Sequence, residues 1–237
     1  MGKISVCMAT YNGSSYIQKQ IESILPQLSY NDELIISDDS STDDTVSLIR
    51  DINDPRIVLL ENNKYRSPVL NFENALIHSF GIYVFLADQD DLWHPNKIST
   101  LLPLLHLHDL VLSDCKIIDE DDNIISSSFY ALRRSGPGIF KNLYKNSYLG
   151  CCMAFRRSLL DKALPFPKTI PMHDMWLGMV AEIYGTTFFC KEKLVYYRRH
   201  SSNASPTGGK SCYNALDMIK FRYKLLTALA KRYFHDK

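Results

Sequence analysis

The fold is decided by the stretch Phe85-Leu86-Ala87-Asp88-Gln89-Asp90-Asp91-Leu92-Trp93, in which an apolar run ends in three carboxylates. The apolar run is typical of a buried strand. Carboxylates this close repel one another, so the arrangement is costly unless a cation or hydrogen-bond donors offset the charge. Mg²⁺ or Mn²⁺ would offset it, because both ions prefer oxygen ligands. The alternative is a solvated acidic turn that caps the next helix.

Before this stretch, strands are predicted to alternate with helices. Apolar runs predict strands over residues 3–8, 33–37, 57–60 and 83–86. Helical spacing predicts helices over residues 16–25, 42–52 and 69–80. Ser14 or Ser15 is expected to cap the first helix, and the signature Ser41-x-x-Asp44 the second. This alternation implies an α/β fold with a Rossmann-like, mostly parallel sheet flanked by helices, which binds ligands at the carboxyl ends of its strands.

The pattern is less regular after residue 93. Spacing predicts helices over residues 96–107, 174–184 and 213–234. Short apolar runs predict strands over residues 110–113, 188–190 and 194–198, and the acidic run 119–123 is typical of a hairpin tip. Residues 126–148 are predicted to form a mobile loop over the site, and residues 201–211 a second loop.

Polar residues follow the first two predicted strands as well. Thr10, Tyr11 and Asn12 end the first strand, and Asp38 and Asp39 end the second. A tyrosine ring can stack on a nucleobase, and a carboxylate can accept a hydrogen bond from a base or a ribose hydroxyl. The alternative for the two aspartates is a structural role in an Asx turn or a helix cap. Together with the acidic stretch, these clusters predict one pocket at one edge of the sheet.

Composition narrows the class of protein. The 237 residues carry a net charge of +1, so no nucleic-acid partner is expected. The first residues show no signal peptide, and no apolar run approaches the roughly eighteen residues that cross a bilayer. The chain is therefore expected to be cytoplasmic. Its six cysteines form no C-x-x-C pair and are expected to be reduced and mostly buried.

At this point the motifs resemble a known family, the inverting glycosyltransferases of family 2 with the GT-A fold. The resemblance spans nearly the whole chain and rests on an ordered set of motifs: Ala9-Thr10-Tyr11-Asn12-Gly13, residues 36–45, Asp88-Gln89-Asp90-Asp91 with Trp93 and Pro95, Gly150-Cys151, His173-Asp174, and Tyr197-Arg198-Arg199-His200. Any single member is a weak signal, whereas the set in this order is specific.

The resemblance implies roles for individual residues. Tyr11 and Asp39 would contact the base, with Thr10, Asn12 and Asp38 beside them. Asp88 and Asp90 would form the DxD element that touches ribose and a Mn²⁺ or Mg²⁺ cofactor. Asp174 would be the catalytic base. His200, in a late loop, would bind the metal or a phosphate. Asp91, Trp93 and Arg198 would support the site.

The acceptor side and the division of the chain follow from the same resemblance. Gly150, Cys151, His173 and Trp176 would line the acceptor side. Residues 1–115 would form the nucleotide-sugar-binding half, residues 116–212 the acceptor-binding and catalytic half of the same domain, and residues 213–237 a C-terminal amphipathic helix.

The chain departs from the family pattern at two places. His173-Asp174 replaces the usual Glu-Asp pair, and Asn71-Phe72 stands near the position of the usual Ala-Arg-Asn stretch. The Asn71-Phe72 replacement, together with the form Asp88-Gln89-Asp90-Asp91-Leu92-Trp93, looks like the rhamnosyltransferase-like branch that builds bacterial surface polysaccharides. The expected reaction moves a hexose or deoxyhexose from a nucleotide-diphosphate sugar to a saccharide or undecaprenyl-linked saccharide in O-antigen or capsule synthesis. The nucleotide, UDP, GDP or dTDP, stays open.

The last helix interleaves apolar residues with lysines and arginines. Such a helix suits an anionic membrane surface, which would make the protein peripheral on the inner face of the cell membrane. The alternative is a helix packed on its own domain or on a second subunit, as in a homodimer.

Rival functions are separated by other features. A sugar-nucleotide pyrophosphorylase would begin with a glycine-rich basic loop, where this chain has Thr10-Tyr11-Asn12-Gly13. A NAD-linked enzyme is disfavoured because no G-x-G-x-x-G follows the first strand. A non-catalytic nucleotide-sugar-binding protein remains the alternative from another class.

Overall fold

A computed structural model describes residues 3–200, 203 and 215–235. Within these ranges the strands are Ile4–Thr10 (β1), Glu33–Asp38 (β2), Ile57–Leu60 (β3), Tyr83–Asp88 (β4), Leu92–Trp93 (β5), Leu110–Ile118 (β6), Ile124–Ser126 (β7), Met153–Arg156 (β8) and Thr187–Arg198 (β9). The α-helices are Ile17–Ile24 (α1), Thr45–Ile52 (α2), Pro68–Ile77 (α3), Lys97–Leu105 (α4), Phe129–Arg133 (α5), Ile139–Tyr144 (α6), Leu160–Ala163 (α7), His173–Tyr184 (α8) and Ala215–His235 (α9).

One sheet runs through both halves of the chain in the order β3-β2-β1-β4-β8-β6-β9-β5, with β7 on β6. The strands β3, β2, β1 and β4 pair in parallel, as their helical connections require. The short β8 then enters antiparallel between β4 and β6. The predicted α/β class and the parallel first half are confirmed.

The sheet separates two apolar layers. Val6 and Met8 of β1 point into the layer covered by α1 and α4. Cys7, between them, points into the layer covered by α3 and α8. Successive side chains of a strand face opposite sides, so a strand buried on both faces is apolar at nearly every position. This explains why continuous apolar runs in the sequence predicted the central strands.

The predicted helix caps are wrong. α1 begins after Tyr16 without a side-chain cap, and α2 begins at Thr45 rather than at residue 42. The Ser41 hydroxyl donates to Asp38 at 2.5 Å instead of capping a helix. Asp43 accepts from the Thr45 amide at 3.1 Å. The residues between β2 and α2 therefore form a turn held by aspartates, which delays the helix by three residues.

The loop predicted over residues 126–148 is also wrong. This segment carries α5 and α6, and it is anchored in the interior by Phe129, which is 1% exposed. Buried Asn142 donates to the carbonyls of Gly136 and Gly138, at 3.0 Å each. A polar anchor of this kind breaks the apolar period that marks a helix, so the sequence pattern missed it.

The late strands differ from the prediction in extent. The strands predicted over residues 188–190 and 194–198 are parts of one strand, β9, which is continuous over 12 residues. The exposed run 191–193, which was expected to separate them, lies within this strand. The strands β5 and β8 were not predicted, since two and four residues are too short to show a period. Of the loop predicted over residues 201–211, all but Asn203 lies outside the described residues, as does Cys212. The five described cysteines are buried free thiols, as expected.

The last helix, α9, packs on the body of the protein through Leu225, Ala228 and Leu229, in the layer that contains α8. Packing on its own domain, one of the two alternatives drawn from the sequence, is therefore confirmed for this side of the helix. None of the helices in the described ranges combines the length and apolar character needed to cross a membrane.

Gly178 on α8 gives a test of this packing. A Cβ atom at Gly178 would lie 2.5–2.6 Å from three ring atoms of Tyr148, which is 1% exposed and bonds Glu182 through its hydroxyl at 3.0 Å. We expect Gly178→Ala to lower the free energy of unfolding by about 2 kcal/mol, because a buried ring held at both ends cannot move aside. Urea denaturation measures this loss.

The control is Gly136→Ala, whose Cβ would meet only the flexible end of Lys141. This variant should unfold like the wild type. Equal stability of the two variants would contradict the packing described for Tyr148.

Candidate active site

Three polar clusters meet at the carboxyl edge of the parallel strands. Thr10 pairs in register with Asp38, and Ala9 pairs with Asp88. The parallel register therefore brings the ends of β1, β2 and β4 to one edge, as the sequence predicted.

The turn after β1 is tied to the acidic stretch by Gln89. Its side-chain amide accepts from the Tyr11 backbone N–H at 2.9 Å and donates to the Tyr11 carbonyl at 3.1 Å. The Tyr11 ring stays 56% exposed, which suits a stacking surface. A Cβ atom at Gly13 would collide with the side-chain amide of Gln89, so a larger residue here would displace the group that holds Tyr11. Sequence reasoning missed Gln89, although the middle position of an Asp-x-Asp motif is where such a residue would be sought.

Asn12 adopts a left-handed backbone with φ of 48° and links the same turn to the β2 side. The backbone N–H of Asn12 donates to the Ser41 hydroxyl at 2.9 Å, and the side-chain oxygen of Asn12 accepts from the backbone N–H of Thr42 at 2.8 Å. The predicted nucleotide residues at the ends of β1 and β2 thus form one connected rim.

Asp38 and Asp39 accept hydrogen bonds from other residues of this rim and its neighbouring segments. Both oxygens of buried Asp38 accept internal hydrogen bonds, one from the Ser41 amide and the other from the hydroxyls of Thr10 and Ser41. Asp39 accepts from the Tyr65 amide at 2.6 Å and the Ser67 amide at 3.2 Å. Asp38 therefore has the structural role in a turn that was the alternative to base recognition. Asp39 instead ties the end of β2 to the segment before α3, and its contact with the base stays a prediction.

Asp90 faces residues from the far end of the chain. One of its carboxylate oxygens lies 2.7 Å from His200 Nε2 and 3.1 Å from the Asn203 side-chain nitrogen. The His200 ring also stacks on Tyr16, with centroids 5.2 Å apart. The structure thus brings Asp90 and His200 together, as the resemblance implied, and adds Asn203, which sequence reasoning missed.

Asp91 is buried beneath this rim. One carboxylate oxygen accepts from the Arg198 amide at 2.9 Å, and the Cys151 thiol also donates to this carboxylate. Oxygen atoms of Asp88 and Asp91 and the sulfur of Cys151 lie within 4.8 Å of one another. Burial raises the pKa of the Cys151 thiol well above its ordinary value, and a neutral thiol is a poor ligand for Mg²⁺ or Mn²⁺. Carboxylates are therefore the ligands that this cluster offers.

The acidic cluster is electrostatically strained. Burial raises the pKa of Asp88 to about 8, and the neighbouring carboxylates of Asp90 and Asp174 add to the rise. Lys97 partly compensates: it is fully buried, donates to the Cys151 carbonyl at 2.5 Å and lies 3.8 Å from the centre of the Trp93 ring. Trp93, predicted as a supporting residue, therefore covers a buried cation that the helical pattern did not reveal.

Asp174 lies in the first turn of α8, close enough to Asp88 to affect its pKa. It is 8% exposed and accepts from the Met175 amide at 2.5 Å and from the Gly150 amide. Burial raises the pKa of Asp174 to about 6, and hydrogen bonds from the backbone amides of Met175, Gly150 and Asp174 itself only partly offset this rise. A carboxylate with a pKa near 6 is charged at neutral pH and is a stronger base than an exposed aspartate.

His173 and Trp176 occupy less accessible positions. The His173 ring stacks on Phe72 with centroids 4.0 Å apart, and burial lowers its pKa to about 3, so the ring is neutral. Trp176 is fully buried and donates to the Ala163 carbonyl at 2.9 Å. The structure therefore places Trp176 in the core rather than on the predicted acceptor side, whereas Gly150 and His173 contact each other beside Asp174.

Arg198 ties the acidic stretch to the rest of the fold. Its guanidinium, 2% exposed, donates to the carbonyls of Asp90 at 2.9 Å and Asp119 at 3.0 Å and pairs with the Asp122 carboxylate at 2.6 Å. It also lies 4.9 Å from the centre of the Tyr16 ring. The supporting role predicted for Arg198 thus has a physical basis, since one planar cation joins three chain segments.

We expect Arg198→Met to lower the free energy of unfolding by about 3 kcal/mol, because it leaves buried carbonyls without a donor. Chemical denaturation measures the change. The control is Arg50→Met, which breaks the exposed pair of Arg50 with Glu61 and should cost less than about 1 kcal/mol. Similar losses for the two variants would contradict the anchoring role of Arg198.

Comparison with known proteins finds a family match. Residues 5–164 match the model of Glycosyl transferase family 2. Over 225 residues, 93% of this chain and 86% of the relative, the sequence is 29% identical to the UDP-Glc:alpha-D-GlcNAc-diphosphoundecaprenol beta-1,3-glucosyltransferase WfaP of Escherichia coli. It is 26% identical to the dTDP-rhamnosyl transferase RfbG of Shigella flexneri, over an alignment of 257 positions that covers 94% of this chain and 84% of RfbG.

Solved structures share the fold. S. aureus TarS 1-349 in complex with UDP-GlcNAc superposes with a TM-score of 0.68 at 19% identity, over 98% of this chain and 73% of TarS. The mannosyltransferase PcManGT of Pyrobaculum calidifontis, in complex with GDP-Man and Mn²⁺, superposes with a TM-score of 0.64 at 20% identity, over 87% of this chain and 59% of PcManGT. The GT-A fold expected from the sequence is confirmed.

Proposed function

Because this chain belongs to glycosyl transferase family 2, we propose that it transfers a hexose or deoxyhexose from a nucleotide-diphosphate sugar to a hydroxyl group, with inversion at the anomeric carbon. The observation that carries this proposal is that Asp174 accepts a hydrogen bond from the Gly150 amide and that its charge raises the pKa of Asp88, which stands two residues before Asp90. One site then holds both a proton acceptor and an acidic rim for the donor.

Asp174 acts as the general base. Its carboxylate takes the proton of the acceptor hydroxyl as that oxygen attacks the anomeric carbon from the face opposite the diphosphate. The amides of Met175 and Gly150 fix the direction of the carboxylate. Neutral His173 beside it adds no charge that would lower its basicity.

A divalent cation fits the acidic rim. The repulsion among Asp88, Asp90 and Asp174 is unfavourable without a cation, and His200 Nε2 converges with a carboxylate oxygen of Asp90. We assign Asp90 and His200 as the residues that hold Mn²⁺ or Mg²⁺, with Asp88 beside them on the ribose side. When bound, the ion stabilises the negative charge that develops on the diphosphate leaving group.

The donor and acceptor are proposed from the relatives. One relative is named for UDP-glucose and a diphosphoundecaprenol-linked GlcNAc, and the other for dTDP-rhamnose. We assign residues 1–115, with the exposed Tyr11 ring, to nucleotide-sugar binding, and residues 116–212 to the acceptor and catalysis. A lipid-linked acceptor would place the enzyme at the inner face of the cell membrane in O-antigen or capsule synthesis.

Two measurements test this function. The first screens UDP-, GDP- and dTDP-sugars with Mn²⁺ or Mg²⁺ for an increase in melting temperature, because only a ligand that binds the folded state stabilises it. The second incubates the stabilising donor with short-chain diphospholipid-linked sugars and determines the anomeric configuration of the product by NMR. Retained configuration, or no transfer with any stabilising donor, would overturn the proposal.

A further inference from the structure

The side of α9 that faces away from the body carries two stripes. Its apolar stripe repeats every three or four residues and consists of Leu216, Ile219, Tyr223, Leu226, Ala230 and Phe234. Four of these side chains are more than three-fifths exposed: Leu216 at 69%, Ile219 at 63%, Tyr223 at 69% and Phe234 at 73%. Its basic stripe lies beside the first and consists of the exposed residues Lys220, Lys224 and Lys231. The solvent side of α9 is therefore amphipathic in its own right.

The orientation of these stripes is fixed by the opposite side of the helix. Leu225 and Leu229 are buried against the body. Arg222 donates to the carbonyls of Leu143 and Tyr144, and Arg232 donates to the carbonyl of Leu164 at 2.7 Å. The apolar stripe therefore does not turn inward, and it remains uncovered in the part of the chain that the structure describes.

The helix α6 extends this surface. Phe140 is 88% exposed and Tyr144 is 83% exposed, and the exposed lysines 141 and 145 lie next to them. Arg222, which holds the end of α6, lies three residues after Ile219 and four before Leu226, so it is their neighbour on the helix surface. The end of α6 therefore lies at the edge of the apolar stripe. We call the combined surface the α6–α9 face.

We propose that the α6–α9 face docks on an anionic lipid bilayer, with the apolar and aromatic side chains in the headgroup region and the lysines against lipid phosphates. Exposed aromatic residues beside lysines suit this boundary, because the rings enter it while the ammonium groups remain at the charged surface. The sequence of α9 has one acidic residue, Asp217, against five basic ones. A second copy of the chain is a poorer occupant, because it would place two lysine-rich faces against each other.

This inference rests on the proposed function in one respect, since a diphospholipid-linked acceptor would be presented at such a surface. The face would bring the site to its substrate and raise the local acceptor concentration. Docking itself needs neither nucleotide nor acceptor, so it can be tested separately from catalysis.

The test measures cosedimentation of the full chain with vesicles, without substrates. One set is phosphatidylcholine, and the other is equal parts of phosphatidylcholine and phosphatidylglycerol. Two variants each change two residues of one stripe: Lys220→Gln with Lys224→Gln in the basic stripe, and Ile219→Gln with Leu226→Gln in the apolar stripe. The matched control is Lys191→Gln with Lys193→Gln, two exposed lysines of β9. Circular dichroism and melting temperature confirm that each variant is folded.

We expect the wild type and the β9 control to bind the anionic vesicles alike and to bind the neutral vesicles far more weakly. The α9 lysine variant should bind about 30-fold more weakly, the equivalent of about 1 kcal/mol for each lysine. The apolar variant should lose binding at least as strongly. Transfer to a water-soluble acceptor analogue should be unchanged in both, so a failure of docking is separable from a failure of the proposed function.

Three outcomes would overturn the inference. The first is no binding of the wild type to the anionic vesicles. The second is equal losses for the β9 control and the α9 lysine variant, which would indicate general charge attraction. The third is a wild-type dimer in analytical ultracentrifugation that the apolar variant converts to monomer without any vesicle binding, which would show that a second copy covers the face.

Discussion

Asp174→Asn should lower kcat by about a thousandfold while nucleotide binding stays nearly intact. A general base typically contributes a hundred- to ten-thousandfold, and an amide cannot take a proton from the acceptor hydroxyl. The side chain also lies in the first turn of α8, whereas the exposed Tyr11 ring that is proposed to stack on the base lies in the turn after β1. Steady-state transfer rates and calorimetric titration with the nucleoside diphosphate separate these two effects.

Asp161→Asn is the control, since Asp161 is an exposed aspartate on α7. It should keep the wild-type rate. Full activity of Asp174→Asn, or the same absence of turnover in wild type and variant over a broad panel of donors and acceptors, would contradict the role of Asp174. The latter result would favour a non-catalytic nucleotide-sugar-binding protein.

The pKa of Asp174 also gives the pH dependence. Burial raises the pKa of Asp174 to about 6, and the proposed base must be unprotonated to accept a proton. We therefore expect kcat/KM to fall about tenfold for each pH unit below 6 and to level off above pH 6. The same shift affects stability. A carboxyl whose pKa is raised on folding stabilises the folded state fully only below its unfolded pKa, and this contribution is lost as pH rises to about 6.

In Asp174→Asn the side chain does not titrate, so its free energy of unfolding does not contain this pH-dependent contribution. Between pH 4 and pH 7 the free energy of unfolding of this variant should therefore rise, relative to wild type, by about 2 kcal/mol, because the pKa shift is about two units and pH 4 is close to the unfolded pKa. Urea denaturation at both pH values measures the difference. A difference that does not change with pH would show that Asp174 is not desolvated.

Asp90→Ala should lower kcat/KM by about a thousandfold and abolish the Mn²⁺-dependent part of nucleoside-diphosphate binding. It removes the carboxylate that faces His200 at 2.7 Å, and a bound cation contributes several kcal/mol to a developing negative charge. Calorimetry with and without Mn²⁺ isolates this contribution, because binding without metal should change little.

His200→Ala tests whether the two residues act together. If both hold one ion, the double variant should bind no more weakly than the worse single variant, since the effects of groups that act as a unit do not add. The control is Asp51→Ala on α2, an exposed aspartate that should leave binding unchanged. Unchanged Mn²⁺-dependent affinity in Asp90→Ala would exclude Asp90 as a ligand.

Prediction from the sequence succeeded where local pattern and chain geometry agree. The prediction of β3 matches its observed ends, residues 57–60, and the first four strands were placed by apolar runs alone. It failed where polar side chains replaced an expected pattern. Ser41 looked like a helix cap but bonds Asp38, and Asn142 anchors a segment that looked like a loop.

The sequence by itself determined the parallel first half and the gathering of Asp39, Asp88 and Asp90 at one edge. Strands joined by helical crossovers must run in parallel, and their carboxyl ends must then coincide. Only the tertiary structure decided which side chains at that edge remain available. Asp38 uses both oxygens internally, whereas Asp90 meets His200 from 110 residues away. Contacts of that span depend on how the whole sheet folds and leave no period in the local sequence.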